Sequence, residues 1–356
     1  MQKSGADSKL GGKGRVKVGI VGVAGYTGRE LLRILENHPN ADISEVYGAS
    51  SAGVRLGELY PFLSKKTGQL EIADFYTQSH QADFYFVCVH HGKSQEIVAR
   101  LIGEGKRVVD LSADFRIKDP AIYEKVYSVR HRFVELLKKA IYGMPEIYKE
   151  KIKTADLVAN PGCLARAAIL SLFPLVKEEL IDPGYPVIID AKTGVSGAGR
   201  NLREDLHFPH MNENFKPYAA LYHRHQPEIE QELKYKENLE IAFVPHLLPV
   251  DRGILVSSYV RLKERLSREH LLEIYNQVYH EAAFIKVLEK GYPELKMVRG
   301  TNSVYLGIEV RGVNAAVFGA LDNLLSGASG TAVHNFNLMT GCPEKEGLDS
   351  LTPLYP

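Results

Sequence analysis

Short apolar, β-branched runs alternate with amphipathic segments in the first part of the chain. Residues 16–21 form such a run and end in glycines, and residues 29–37 follow with leucine and isoleucine at helical spacing. Further strand-like runs lie at residues 43–47, 84–89 and 107–111, with a helical segment at 93–102. Strands that alternate with helices predict a parallel sheet covered by helices on both faces.

The pattern changes after residue 163, where strand-like runs are separated by longer polar segments and few helices. These runs lie at residues 187–191, 241–244, 254–262 and 304–310, with one helix near 268–281. Many strands with few helices predict a mixed or antiparallel sheet in an α+β domain. We expect Pro174 to break or kink the helix that follows residue 163, because proline lacks the amide that the helical hydrogen bond needs.

Composition narrows the class of protein. Hydrophobic residues make up 45% and charged residues 24% of the 356 residues, and the formal net charge is +1. These values are typical of a globular protein and do not indicate a nucleic-acid or membrane-surface binder. Three widely spaced cysteines argue against a disulfide framework and favour a reducing compartment. Since no apolar stretch approaches the roughly 18 residues of a membrane helix, we expect a cytoplasmic protein.

Cys163 is the most informative single residue. It follows Asn-Pro-Gly at residues 160–162 and opens an apolar run, which is how a chain places a thiol in the first turn of a helix. A helix N-terminus or a nearby cation lowers the pKa of a thiol, and the thiolate is a nucleophile. A buried structural cysteine is the alternative, but the turn in front of it favours covalent catalysis.

A glycine-rich turn connects the first predicted strand to the first predicted helix. Its three glycines, three positions apart, let the backbone turn sharply and approach a pyrophosphate, whose charge the helix N-terminus favours. We therefore predict a dinucleotide site here, with these candidate residues: Gly22, Gly25, Tyr26, Thr27 and Gly28.

The end of the second predicted strand bears on the choice between NAD and NADP. NAD-binding proteins usually place an acidic residue there, which accepts a hydrogen bond from the ribose 2′-hydroxyl. This chain instead has Ser50, Ser51 and Arg55, and small hydroxyls near a cation suit a 2′-phosphate. We predict NADP(H) as the cofactor.

The chain length exceeds one ordinary core, so two domains are predicted in an α/β protein. We expect a flexible tail at residues 1–14 and an NADP-binding Rossmann domain at 15–160. A catalytic and oligomerisation domain is predicted at residues 161–320. Residues 321–356 are expected to contain a helix, with a glycine break, that returns to the Rossmann domain.

Two histidines, His223 and His225, precede a predicted helix with Pro227 in its first turn. One of them, preferably His225, is predicted to take the proton of Cys163 and later to donate a proton to the developing alkoxide. A solvated loop position is the alternative for one of the pair. Two ligands do not make a metal site, so no metal is predicted.

Basic residues are candidates for binding the anionic groups of a substrate. Arg116 lies in the segment 110–116 at the C-terminal end of a predicted parallel strand, where open α/β sheets bind ligands. It could clamp a carboxylate or phosphate, or form a surface ion pair with a nearby aspartate. Ser112 and Arg200 are further candidates for substrate binding. The glycine-rich segment 192–200 could approach the nicotinamide or a phosphate, or form a flexible loop.

Together these segments resemble those of the N-acetyl-γ-glutamyl-phosphate reductases of arginine biosynthesis, over residues 15–356. The similar segments lie at residues 22–28, 110–116, 160–163, 190–200, 223–229, 245–253 and 322–330. The resemblance implies a Rossmann domain joined to an α+β domain of the glyceraldehyde-3-phosphate dehydrogenase type. It also implies NADPH, Cys163 as nucleophile, and a homodimer or homotetramer. Ser196, Gly197 and Asn323 are the candidates for the nicotinamide end of the cofactor.

The chain departs from the family pattern at a few positions. It has Leu-Ala-Arg at residues 164–166, where Tyr-Pro-Thr is usual after the cysteine. It also has His90 in place of a proline, and Thr331 and His334 where glutamines are expected. These changes affect packing around the thiol and the cofactor and leave the nucleophile in place.

The predicted reaction is the NADPH-dependent reduction of N-acetyl-L-glutamyl 5-phosphate to N-acetyl-L-glutamate 5-semialdehyde and phosphate. Cys163 attacks the acyl phosphate and forms a thioester, which accepts hydride, while a protonated His225 stabilises the oxyanion and the thiolate. Three alternatives stay open. They are a carrier-protein-linked reductase of the lysine pathway, an aspartate-semialdehyde dehydrogenase, and a non-catalytic NADP-sensing protein.

Overall fold

The computed structural model describes residues 14–234 and 239–353, so the tail predicted at residues 1–14 lies outside the described residues except for Gly14. The strands are β1 (Val16–Val21), β2 (Ala41–Tyr47), β3 (Phe84–Val87), β4 (Arg107–Asp110), β5 (Ile141–Tyr142), β6 (Leu157–Ala159), β7 (Val187–Gly194), β8 (Lys216–Pro217), β9 (Ile241–Leu248), β10 (Ile254–Arg261), β11 (Ile285–Val287), β12 (Val304–Arg311) and β13 (Asn314–Leu321). The α-helices are α1 (Tyr26–Leu35), α2 (Leu56–Leu59), α3 (Lys65–Gly68), α4 (Ser94–Gly103), α5 (Pro120–Tyr127), α6 (Val134–Lys139), α7 (Pro145–Lys153), α8 (Cys163–Lys177), α9 (Phe208–Met211), α10 (Gln226–Leu233), α11 (Arg268–Tyr279), α12 (Leu295–Val298) and α13 (Gly330–Thr340).

The first six strands form one sheet in the order β2-β1-β3-β4-β6-β5, and all of its pairings are parallel. The strands β3 and β6 are buried at every position because helices pack on both faces. Parallel strands all end at one edge of the sheet. The glycine-rich turn after β1, the segment 110–116 after β4 and the turn to Cys163 after β6 therefore start from the same edge.

The second sheet has seven strands in the order β11-β12-β13-β10-β7-β9-β8. Strand β10 runs antiparallel to both β13 and β7, whereas β7 and β9 run parallel. One face packs against α8, which contributes many of the buried apolar side chains of this domain. The parallel first sheet and the mixed second sheet confirm the predicted fold class.

The helix α8 continues through Pro174 and ends at Lys177, so the predicted break at the proline is wrong, whereas a kink there stays a prediction. A proline removes the amide that would bond the carbonyl four residues earlier, here that of Leu170. The Tyr279 hydroxyl donates to that carbonyl at 2.7 Å, and the neighbouring Tyr275 hydroxyl donates to the Ser171 carbonyl at 2.5 Å. Two hydroxyls from α11 thus satisfy carbonyls in this part of α8, which therefore stays helical.

The last helix packs against the first sheet. The Phe336 ring of α13 meets those of Phe84 and Phe86 at centroid distances of 4.8 and 5.9 Å. A π-helical turn, Leu325–Ser329, precedes α13 and carries the chain across from β13. Across residues 14–234 and 239–353, no helix is both long enough and apolar enough to span a membrane.

Candidate active site

Cys163 is the first residue of α8, and no side chain caps the start of this helix. Burial raises the pKa of the thiol, although the Arg116 guanidinium, the Leu164 amide and then Arg224 favour the thiolate. The helix start and the nearby cations lower this pKa as expected, but burial outweighs them in the resting protein. The loss of hydration destabilises a buried thiolate by more free energy than these neighbouring groups contribute to its stability. Ionising Cys163 requires a base.

The imidazole of His225 faces the turn that carries the thiol. A β-carbon at Gly162 would lie 2.5 Å from its Nε2 atom, so a glycine is needed there for the ring to fit. Burial lowers the pKa of this imidazole well below its usual value, and His223, Arg224 and Arg116 act in the same direction. The ring is neutral at pH 7, so His225 becomes protonated only after it takes a proton, and its role in stabilising the oxyanion stays a prediction. A neutral imidazole is the form that accepts a proton.

His223 lies behind His225 and supports the same turn. Its Nδ1 atom accepts the backbone N–H of His225 at 3.1 Å, and its ring packs edge-on against Tyr218 and Phe243. Burial, followed by the nearby charge of Arg224, lowers the pKa of His223 to about 4. One ring nitrogen of His223 is thus occupied by a backbone hydrogen bond, which favours His225 as the acid/base residue.

Glu228, which the sequence analysis did not select, connects α10 to the thiol turn. Its Oε1 atom accepts the Gly162 N–H at 2.7 Å and the Tyr142 hydroxyl at 2.5 Å. Its Oε2 atom lies 3.8 Å from a guanidinium nitrogen of Arg116. The residue is fully buried. Its position three residues after His225, in the first turn of a helix, is the sequence pattern that could have identified it.

Arg116 is 8% exposed and holds the backbone on either side of the site. Its Nε atom donates to the carbonyl of Asn160 at 2.7 Å, and its Nη2 atom donates to that of Leu111 at 2.8 Å. A buried guanidinium with these partners is not the surface ion pair considered above. Its contact with a substrate stays a prediction.

Ser112 belongs to a buried polar network at the end of β4. Its hydroxyl donates to the Asp110 carboxylate at 2.7 Å and accepts the Asp114 N–H at 3.1 Å, and it lies 2.6 Å from the hydroxyl of Ser94. Burial, followed by the charge of Asp114, raises the pKa of Asp110 to about 7. This geometry favours a role for Ser112 in shaping the segment 110–116, and direct substrate contact stays a prediction.

The glycine-rich turn after β1 fits a pyrophosphate. A β-carbon at Gly28 would lie 2.6 Å from the carbonyl oxygen of Gly22, so the close approach of helix and loop requires glycine. Gly25 caps α1 without a side-chain hydrogen bond, and the first turn has no acidic residue. The first amides of α1 therefore have no partner within the helix and are available to bind an anion. They include the amides of Tyr26 and Thr27.

The predicted site for the 2′-phosphate lies beyond β2. The Oγ atom of Ser51 is buried and has no hydrogen-bond partner, while Ser50 and Arg55 are exposed. A hydroxyl without a partner, four residues before an exposed cation, fits the oxygen atoms of a phosphate. The preference for NADP over NAD stays a prediction.

The candidates for the nicotinamide end come together near the thiol. The Asn323 side chain donates to the Ser196 hydroxyl at 2.9 Å and accepts the Gly253 N–H at 2.7 Å. Gly197 lies in the same short 3-10 turn as Ser196. A β-carbon at Gly327 would lie 2.8 Å from the Cβ atom of Cys163, so the π-helical turn packs directly on the nucleophile.

Two further arginines differ in their placement. Arg200 donates a hydrogen bond to the carbonyl of Ala24 in the glycine-rich turn. The charges that act on the thiol come from Arg116, Arg224 and Glu228. Arg224, which the sequence analysis did not select, is exposed between the two histidines. Its position inside the histidine cluster was the available sequence pattern.

The departures from the family pattern have partners of their own. Arg166 is fully buried and bonds both carboxylate oxygens of Glu146, at 2.9 and 2.7 Å. The His334 ring lies 2.9 Å from a carboxylate oxygen of Glu344. In the part of the chain that is described, no group of three histidine, cysteine or acidic side chains is arranged to hold a metal.

Comparison with known proteins identifies the family. Residues 17–155 match the semialdehyde dehydrogenase NAD-binding domain, and residues 163–323 match the semialdehyde dehydrogenase dimerisation domain. The chain is 45% identical over 347 residues to the N-acetyl-gamma-glutamyl-phosphate reductase of Desulforudis audaxviator, which covers 96% of this chain and 100% of that protein. The protein of the same name from Campylobacter jejuni subsp. doylei is 44% identical over 94% of this chain and 98% of its own length. The chain belongs to the N-acetyl-gamma-glutamyl-phosphate reductase family.

Solved structures agree with this assignment at the level of the fold. Aspartate semialdehyde dehydrogenase II from Vibrio cholerae has a TM-score of 0.71 at 15% identity, and covers 92% of this chain and 99% of its own. The Candida albicans aspartate semialdehyde dehydrogenase with NADP has a TM-score of 0.64 at 16% identity, over 92% and 98% of the two chains. As a member of the N-acetyl-gamma-glutamyl-phosphate reductase family, the chain is an oxidoreductase with a nicotinamide-dinucleotide-binding domain. The resemblance stated from the motifs is confirmed.

Proposed function

We propose that this protein uses NADPH to reduce N-acetyl-L-glutamyl 5-phosphate to N-acetyl-L-glutamate 5-semialdehyde, with release of phosphate, in the cytoplasm. The observation that carries the proposal is a thiol at the start of α8 with a neutral imidazole against the preceding residue. The near full-length relatives, named N-acetyl-gamma-glutamyl-phosphate reductases, support the choice of substrate. The three cysteines are free thiols, which supports a reducing compartment.

In the proposed mechanism, His225 removes the proton from the Cys163 thiol as sulfur attacks the acyl carbon. The carbon–sulfur bond forms, the bond between that carbon and the phosphate oxygen breaks, and phosphate leaves with the proton held by the imidazole. When bound, the nicotinamide cofactor supplies a hydride to the thioester carbonyl. The amides at the start of α8, which no side chain caps, would stabilise the charge that then develops on oxygen. Collapse of the hemithioacetal breaks the carbon–sulfur bond and releases the aldehyde, and the His225 imidazolium returns its proton to the sulfur, which restores the thiol and the neutral base. The one proton that the overall reaction consumes passes from solvent to the released phosphate.

Two polar groups hold the turn that carries the thiol in this mechanism. Glu228 bonds the Gly162 amide, and Arg116 bonds the Asn160 carbonyl. Both groups are buried, so the turn is fixed before the substrate binds. Arg224 is exposed beside the imidazole and is positioned to attract the doubly charged phosphoryl group of the substrate.

The reverse reaction tests this function. We expect the purified protein to reduce NADP in the presence of N-acetylglutamate semialdehyde only when inorganic phosphate is added, because phosphate must cleave the thioester. Absorbance at the NADPH band measures the rate. Aspartate semialdehyde and a carrier-protein-bound semialdehyde serve as comparison substrates. A higher kcat/KM with either would contradict the proposed substrate, and no reduction with any of the three would favour the non-catalytic alternative.

We further propose that the protein is a homodimer or homotetramer whose subunits meet through the uncovered face of the second sheet. Ile188 of β7 and Tyr259 of β10 lie on neighbouring strands of this face and are 45% and 43% exposed. The name of the matching domain, a dimerisation domain, supports an interface within residues 163–323. We expect light scattering to give at least twice the chain mass of 39.7 kDa. Tyr259→Glu should lower that mass, since it would bury a charge, and a monomeric parent protein would contradict the proposal.

A further inference from the structure

Arg200 belongs to the second domain but contacts the phosphate-binding turn of the first. It follows Gly199, after the 3-10 turn at the end of β7, and its guanidinium donates to the carbonyl of Ala24. The two residues are 176 positions apart in sequence. A side chain from the catalytic half of the chain therefore lies beside the uncapped start of α1.

The charge of Arg200 has no carboxylate partner among the ion pairs of the described residues, and its one hydrogen bond goes to a neutral carbonyl. A second cation, Arg29, lies close by, because both guanidiniums act on the hydroxyl of Tyr60. That hydroxyl in turn donates to the Val23 carbonyl of the same turn at 3.3 Å. Two exposed cations at an uncapped helix start make a strong attraction for phosphate.

Other contacts already hold the two domains together at this place. Arg252 bonds Glu30 of α1 at 3.2 Å and Asp322 beyond β13 at 3.0 Å. The Ser329 hydroxyl donates to the Thr27 carbonyl at 2.9 Å. Arg200 is exposed, and these contacts hold the two domains together without it, so its guanidinium is available to a ligand.

We propose that Arg200 is a ligand of the dinucleotide diphosphate, donated across the domain boundary, and not a substrate-binding residue. This inference rests on the cofactor part of the proposed function and does not depend on the acyl substrate. The bound dinucleotide would exchange the Ala24 carbonyl for a diphosphate oxygen as the partner of the guanidinium. The cofactor would then contact both domains through its phosphates as well as through its nicotinamide.

The test is a direct titration of the resting protein, without acyl substrate, followed by nicotinamide fluorescence. We expect Arg200→Met to weaken NADPH binding roughly 10- to 100-fold, as for loss of one charge-assisted hydrogen bond. NADH should lose the same factor, because the diphosphate is common to both. The dependence of NADPH binding on salt should also become less steep. Arg203→Met is the matched control, since Arg203 lies in the same segment but pairs with Asp205 at 2.8 Å, and it should bind NADPH normally.

Three results would overturn the proposal. Loss of affinity for NADPH alone would place Arg200 at the 2′-phosphate. Unchanged cofactor affinity with a raised KM for the semialdehyde would show that Arg200 binds the substrate. An equal loss in Arg203→Met would indicate a structural effect of the segment. Because the titration needs no turnover, a protein inactive on all acyl substrates would still report on Arg200.

Discussion

Cys163→Ser is expected to abolish turnover, by roughly four orders of magnitude or more, while NADPH still binds with unchanged affinity. A serine hydroxyl is a far weaker nucleophile than a thiolate at neutral pH, and the neutral His225 is not a strong enough base to compensate. The candidate phosphate site after β1 contains no atom of Cys163, so the cofactor affinity should not change. Initial rates of the phosphate-dependent reverse reaction and a fluorescence titration measure the two quantities.

Cys342→Ser is the matched control for this variant. Cys342 is also a free cysteine with a thiol pKa raised by burial, but it follows α13 and contacts the hydroxyl of Thr340 at 3.3 Å. We expect it to keep the activity of the parent protein. A Cys163→Ser protein that retained a tenth of the parent rate would remove the thioester from the mechanism, and equal losses in both variants would indicate a general effect on folding.

The fold could be predicted from the sequence because its determinants are local. The buried strand β3 is a continuous apolar run, which indicates a parallel sheet directly. Four of the seven strands of the second sheet (β7, β9, β10 and β12) were predicted from similar runs, whereas β8, β11 and β13 were not. The predicted break at Pro174 was wrong because the hydroxyl that bonds the freed Leu170 carbonyl comes from α11, about a hundred residues later. No local pattern contains that information.

The members of the candidate site could be predicted better than their protonation states. Cys163 and His225 were selected from turn and helix patterns, and the His225 ring lies against Gly162, the residue before the thiol. Their pKa values depend on burial by segments distant in sequence, so the thiol pKa is raised and the imidazole is neutral. Arg200 shows the same limit, because its contact with Ala24 depends on how the two domains pack.

The neutral state of the imidazole changes how the thiol is activated. A preformed pair of thiolate and imidazolium requires a histidine pKa above that of the thiol. Burial instead raises the pKa of the Cys163 thiol and lowers the pKa of the His225 imidazole. The resting site therefore holds no separated charge at this position. The proton therefore moves from the Cys163 thiol to His225 as the sulfur attacks. At that point the bound substrate has displaced water from the site and its phosphoryl group adds negative charge there.

His225→Asn is expected to lower the rate of the reverse reaction roughly 10²- to 10⁴-fold at pH 7, the usual contribution of a general base. The pH dependence identifies the cause. Because the pKa of His225 lies well below 6.5, its base form persists as the pH falls, and the parent rate should stay level from pH 8 down to below 6.5. Without the imidazole the thiol must ionise alone, so the variant rate should rise about tenfold per pH unit toward the raised thiol pKa.

His223→Asn separates the two histidines in the same experiment. Its Nδ1 atom supports the backbone of His225, so we expect a smaller loss of rate and a level pH profile like that of the parent protein. The opposite result, a steep rise with pH in His223→Asn and a level profile in His225→Asn, would assign the base to His223. A level profile in both variants would show that neither imidazole takes the thiol proton. The slope therefore distinguishes a base from a supporting residue, because a displaced turn lowers the rate at every pH by a similar factor.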